Sequence, residues 1–182
     1  MRLKIKVMST PIIQISTLNF QYNKPILEDF NWQISSGECW ILGGLSGSGK
    51  TTLAKIISGE VKNFEGKVEV NFNENSELPK KVLYVSNWFQ FSNLEGDRNF
   101  YYQQRYNQQV KNDTLTVFAE LNHFGKEENL DFRILESYLE PFGFEKFKNQ
   151  QLIELSSGEH KKLQVLKALW LKPQVLIIDQ PY

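Results

Sequence analysis

The chain is poor in several residue types. It holds one cysteine, two histidines, two methionines and six prolines in 182 residues. A single cysteine, Cys39, excludes an internal disulfide, and its place in an apolar run reads as a small buried side chain. Such usage fits a reducing compartment. Neither His123 nor His160 has a partner at metal-ligand spacing, so both read as ordinary polar positions. No run approaches the ~18 consecutive apolar residues that would span a bilayer. The opening M-R-L-K-I-K-V-M-S-T is basic but lacks the continuous apolar core of a secretory signal. A cytoplasmic protein is expected, with docking on the inner face of a membrane left open. Charge of one sign is also lacking. Lys plus Arg and Asp plus Glu each number 21, so the basic excess that marks general nucleic-acid binding is absent. With 41% apolar residues, the length suits a globular domain with a real core.

The clearest motif is G-L-S-G-S-G-K-T-T, Gly44 to Thr52. Through Thr51 it fits G-x-x-x-x-G-K-[ST], a loop that cradles phosphate. Gly44, Gly47 and Gly49 let the backbone curl until its N–H groups approach phosphate oxygens, with Leu45, Ser46 and Ser48 completing the turn. A helix starting near Lys50 would aim its positive end at the same anions. Lys50 can reach the β- and γ-phosphates, and the Thr51 hydroxyl is a hard oxygen ligand for Mg²⁺. The run Cys39, Trp40, Ile41 and Leu42 predicts a buried strand before the loop. Leu53, Ala54, Ile56 and Ile57 predict a helix after it, stopping at Gly59.

Earlier in the chain, Pro11 to Phe20 reads as a strand. Tyr22 to Pro25 reads as a turn, and a second strand follows through Phe30, Trp32 and Ile34. Tyr22 can either stack on a flat base or pack on the sheet. Beyond Gly66, Lys67 to Phe72 and Val82 to Val85 read as strands. Asn87 to Gln151 is rich in Asn, Gln and aromatic residues, notably Phe100 to Tyr106. It reads as a mainly helical insertion with its aromatics packed inward, in preference to a recognition surface. Asp113 is a candidate cap for one helix. Ile134, Leu135, Tyr138 and Leu139 mark another, ending before Pro141.

Ser156, Ser157, Gly158 and Glu159 precede an apolar helix that runs to about Leu171. Ser156 and Glu159 fit an S-x-x-E capping box. The same geometry can also bind an anion. Val175 to Ile178 predicts a buried parallel strand that ends in Asp179, a carboxylate able to hold Mg²⁺ opposite Thr51, directly or through water.

These motifs, in this order and spacing, resemble those of the ATP-binding-cassette (ABC) ATPases, and the likeness covers essentially the whole chain. Gly44–Thr51 matches Walker A, L-S-S-G-E at Leu155–Glu159 resembles the L-S-G-G-Q signature, and V-L-I-I-D at Val175–Asp179 matches Walker B. The resemblance implies an α/β P-loop fold of ABC type: a mixed or parallel core sheet, N-terminal antiparallel strands and an inserted helical subdomain. It implies residues 1–86 as strands and P-loop core, 87–157 as the helical insertion, and 158–182 as signature helix and Walker B strand. It also implies ATP and Mg²⁺ as ligands. ATP would contact Tyr22 through adenine, the loop from Gly44 to Thr52, and, in a partner's site, Ser156, Ser157, Gly158 and Glu159. Thr51, Asp179 and Asn87 would face the metal. The implied partners are a second ABC domain, as homodimer or tandem cassette, and a membrane-transporter subunit.

Three departures from the family pattern carry weight. Gln180 stands where the family has the glutamate that polarises water, and loss of a general base typically slows a reaction ~10²–10⁴-fold. Lys50 and Gln180 are then the residues nearest the chemistry, with weak hydrolysis expected. Asn87 stands near the family's glutamine. The aspartate loop and switch histidine do not follow Asp179, which reads as a cassette cut short after Walker B. The Asn/Gln/aromatic segment and the ending D-Q-P-Y resemble ModF/PhrA-type ATPases, named for molybdenum transport or photorepair. Two rival functions are a non-catalytic nucleotide-binding regulator and an ABC protein acting on ribosomes or DNA.

Overall fold

The computed structural model describes residues 11–79, 81–86, 90–92, 98–100 and 115–180. The chain divides into two units, Met1–Tyr84 and Val85–Tyr182.

In the first unit, β1 (Ile13–Gln21) is the centre of an antiparallel sheet between β2 (Pro25–Ile34) and β3 (Glu65–Val70). Ile15 lies opposite Trp32 on one side and Val68 on the other. The β-branched and aromatic residues that predict these strands also fill them. Ile13, Ile15, Leu18, Phe20 and Leu27 are buried. The register slips between Ile15 and Leu18. Thr17 there has φ +47°, and its N–H is met by the Asn31 Oδ1 at 2.9 Å. A side chain thus satisfies a donor the bulge removes from the ladder. Helix α1 (Lys50–Ile57) buries Thr52, Leu53, Ala54, Ile56 and Ile57 and lies beside β3.

The second unit is mainly helical. The division between units falls inside β4 (Val82–Val85). Beyond it, β5 (Gln90–Ser92) and β6 (Arg98–Phe100) form a small antiparallel pair, a departure from the helical expectation for this stretch. Helices α2 (Val117–Glu127), α3 (Phe132–Phe142) and α4 (Ser157–Trp170) follow, then β7 (Val175–Ile178). Val117, Leu121, Leu135, Phe144, Leu152, Leu155, Leu163, Leu166 and Trp170 form one buried cluster. Each such side chain contributes roughly 1.5–3 kcal/mol on burial. Trp170 closes the cluster edge-on to Phe132, and its indole N–H donates to Asp131 O at 2.9 Å.

Four local expectations need correction. Cys39, Trp40, Ile41 and Leu42 are not a buried strand: Ile41 is 93% exposed and Trp40 54%, and Cys39 is exposed. An apolar run becomes a strand only where neighbours complete its ladder, and no described residue pairs with this one. Trp40 instead sets its ring edge-on to Trp32 at 5.5 Å. Asp113 lies outside the described residues. Helix α2 is capped by Thr116, whose hydroxyl accepts from Ala119 N at 3.2 Å, because Leu115 and Thr116 are held extended against Gln151 and Leu152. Pro141 does not end α3, which runs on to Phe142 with Gly143 as its cap. Finally, in β7 only Val175 is fully buried, and Leu176, Ile177 and Ile178 are half-buried. Phe100 to Tyr106, apart from the backbone of Phe100, and Asn87 also lie outside the described residues.

Candidate nucleotide site

In the first unit, the glycine loop turns on the Ser48 N–H, which donates to Leu45 O at 3.2 Å. Lys50, the first residue of α1, folds its side chain back over this turn. Its ammonium donates to Gly44 O at 2.9 Å, Leu45 O at 2.8 Å and Ser48 Oγ at 3.1 Å. All three donors of the ammonium thus meet loop oxygens. A Cβ on Gly44 would stand 3.0 Å from Ser48 Oγ and 4.0 Å from Lys50 Nζ. Glycine therefore keeps the space beside the cation open. Gly49 caps α1 with φ +86°, a left-handed conformation that L side chains resist. Gly44 to Ser48 and Thr51 are exposed, while Thr52 is buried under the helix. Of the two threonines that follow Lys50, Thr51 is thus the exposed one.

Tyr22 is 64% exposed, with its ring edge-on to Phe20 at 4.9 Å. The contact packs Tyr22 on the sheet while most of the residue remains exposed.

In the second unit, the signature residues adopt the capping box. Ser156 Oγ accepts from Glu159 N at 3.3 Å, and Glu159 Oε2 takes both the N–H and the hydroxyl of Ser156, each at 2.7 Å. The Ser156 backbone N–H and then its hydroxyl hold the Glu159 carboxyl below the usual range. The box thus sets a carboxylate beside the helix start at Ser157 and Gly158, where the family's glutamine would be neutral. His160 is 2% exposed. Burial pushes its imidazole down to about 4, against a hydrogen bond with the Leu152 backbone and the nearby Glu159 charge. At neutral pH it is an uncharged core residue, more buried than an ordinary polar position.

Asp179 follows β7 at the parallel pairing with the end of β4, its N–H donating to Val85 O at 3.0 Å. Gln180 is exposed, with φ +48°. The sequence reading missed Lys161, which is 7% exposed and donates to Asp179 O at 2.6 Å and Ser86 O at 2.8 Å. One signal was available: Lys161 precedes Val165, at the edge of the helix's apolar side, by one turn. The structure thus groups Lys50 with its loop, Ser156 with Glu159, and Asp179 with Lys161. The first group and the other two belong to different units.

Among the described residues, no cluster of three or more His, Cys, Asp or Glu could hold a metal. The Thr51 hydroxyl and the Asp179 carboxylate are hard oxygen donors, the kind that Mg²⁺ takes beside phosphate and water. No helix among the described residues is long and apolar enough to cross a membrane.

Comparison with known proteins bears on the family and the fold. A probable metal transport system ATP-binding protein of Thermotoga maritima is 29% identical over 171 residues, covering 93% of this chain and 61% of that protein. The taurine import ATP-binding protein TauB of Escherichia coli O157:H7 is 30% identical, covering 94% and 61%. This chain therefore spans about three-fifths of the length of either relative. Among solved structures, CbiO1 of Clostridium perfringens, part of an ABC transporter complex, superposes with a TM-score of 0.64 at 22% identity, covering 95% of this chain and 66% of that one. Residues 27–182 match the family described as ABC transporter, so the chain belongs to that family and has the α/β P-loop fold of its ATP-binding domains.

Proposed function

We propose that the chain binds Mg-ATP through Gly44–Thr52 and acts as the ATP-binding part of a transporter, with slow hydrolysis. The observation that carries this is the Lys50 ammonium resting on neutral loop oxygens. Phosphate oxygens would replace them with anionic acceptors, and such charge-assisted bonds are roughly twice as strong. Tyr22 would stack on the base. The family resemblance implies Thr51, Asp179 and Asn87 as the residues toward Mg²⁺, which when bound would neutralise phosphate charge. Ser156, Ser157, Gly158 and Glu159 would face the γ-phosphate of a second cassette, from another copy or a tandem domain. A chain working against a permease would sit on the cytoplasmic face of a membrane. A ModF/PhrA-type role is our finer reading. Its cargo would be molybdate; of the relatives above, one is named for metal transport and the other for taurine import.

The test is thermal unfolding with Mg-ATP, on the native chain and Lys50→Ala. Ligand at a hundred times its dissociation constant stabilises by ~2.7 kcal/mol. The native chain should gain this and Lys50→Ala should not. Equal behaviour of the two would remove the loop from the reading.

A second reading, a nucleotide-binding regulator without turnover, is favoured by Gln180, whose amide can orient water but takes no proton. Gln180→Glu separates the two in single-turnover assays. Faster hydrolysis points to a weakened enzyme, and no gain points to the regulator.

A further inference from the structure

A lysine buried on the inner face of a helix needs a reason, because its ammonium loses hydration on leaving water. Lys161 meets that loss with main-chain oxygens. Its Nζ lies 2.6 Å from Asp179 O and 2.8 Å from Ser86 O, with Val85 O at 3.5 Å. The first two are the carbonyls of the peptide bonds that lead out of β7 and β4. Val85 O is taken by the Asp179 N–H at 3.0 Å. The cation therefore ties together two chain ends just where each leaves its strand.

The tie bears on direction. The Asp179 carbonyl belongs to the peptide that leads into Gln180, which adopts φ +48°, a conformation L residues rarely take without outside support. Fixing that carbonyl fixes the plane of the Asp179–Gln180 peptide and limits where both side chains can point. Burial lowers the affinity of Lys161 for its proton, and the Asp179 charge opposes this. Methionine would fill the same volume and supply no donors.

We propose that Lys161 is a positioning residue: by holding the Asp179 and Ser86 carbonyls it aims the Asp179 carboxylate, so that the metal-dependent part of nucleotide binding depends on a residue that touches neither nucleotide nor metal. This rests on the Mg-ATP reading above. It assigns the signature helix a second task, carried by its buried face rather than by Ser156–Glu159.

The test uses the whole chain and the variants Lys161→Met and Lys161→Arg. ATP affinity is measured in EDTA and then across a Mg²⁺ titration. Removing a group that orients a metal ligand typically costs 10–100-fold in metal affinity. Lys161→Met should need at least ~10-fold more Mg²⁺ for half its effect, with metal-free ATP affinity unchanged, and Lys161→Arg should restore much of the loss. An unchanged Mg²⁺ requirement overturns the proposal. So does an equal loss of metal-free and metal-dependent affinity, which would mark Lys161 as ordinary scaffold. If Lys161→Met lacks the native near-UV circular dichroism, Lys161→Leu, which likewise supplies no donor, is read by the same criteria. Amide exchange separates the proposal from the ATP reading. Without nucleotide, the Asp179 amide should exchange faster in the variant while the Leu121 and Leu166 amides keep their rates. A native chain that ignores Mg-ATP would sink the ATP reading, and unchanged exchange at Asp179 would then sink the positioning role.

Discussion

A Cβ on Gly49 would stand 2.7 Å from Ile26 Cγ2, so the base of the phosphate loop is fitted against the second residue of β2. The contact joins a strand from the start of the chain to the turn that presents Lys50. It also identifies the loop residue least able to change.

Gly49→Ala should therefore act on stability and binding together. Holding an alanine at φ +86° and displacing Ile26 should cost roughly 2 kcal/mol. The stabilisation by Mg-ATP should fall with it, because Lys50 follows directly. Unfolding scans with and without Mg-ATP check both effects. A variant with native midpoints would show that the loop can rearrange around a methyl group.

Gly125 in α2 is the matching position in the helical unit. A Cβ there would meet Trp170 Cη2 at 2.3 Å and Phe132 Cζ at 2.8 Å. Overpacking of this kind costs typically 1–3 kcal/mol, against up to ~1 kcal/mol gained by removing a helical glycine. Gly125→Ala should thus lose about 1–2 kcal/mol in urea unfolding. With Trp170→Phe added, the two losses should sum to more than the double variant shows, since the smaller ring makes room for the methyl. Strict additivity would mean that the two residues do not meet.

His160 predicts an acid-sensitive window. Its imidazole is held near 4 in the fold, against about 6.5 in an unfolded chain. Between those values the unfolded chain takes up a proton that the native core refuses, so stability falls as pH drops from 6.5 toward 4. The full difference is on the order of 3 kcal/mol, with about 2 kcal/mol gone by pH 5. His160→Gln should flatten this slope whatever it does to stability at pH 7.5. Urea midpoints at pH 7.5, 6 and 5 give the comparison. Parallel slopes in the two proteins would assign the acid effect to other groups. The depressed Glu159 carboxyl acts lower, its stabilisation being lost as pH falls below the ordinary glutamate value through its folded one.

Ser156→Ala removes the cap of α4 and should cost ~1 kcal/mol, whereas Ser156→Gly should cost only a few tenths. If Ser156 serves a second cassette, a monomeric chain should bind Mg-ATP equally well with either residue. Calorimetric titration at low protein concentration checks this. Weaker binding in the monomer would place Ser156 in its own nucleotide site.

The local structure was legible in the sequence because it depends on short spacings. The phosphate loop, the Ser156–Glu159 box and the apolar stripe of α4 are set by residues within two helical turns of one another, and the structure has them where the spacing put them. The family followed from their order. The beginning of α2 was misplaced because Thr116 is extended by Gln151, 35 positions away, and no local pattern carries that pairing. Cys39 to Leu42 failed for the opposite reason. Its composition is that of a strand, but a strand also requires partners, and among the described residues it has none. Lys161 reads as one more charge on an amphipathic helix until β4 and β7 bring the Ser86 and Asp179 carbonyls to its ammonium. Short-range spacing thus determined the motifs and the family. Which buried cation holds which chain end depended on contacts between residues 18 and 75 positions apart, and only the tertiary structure decides those.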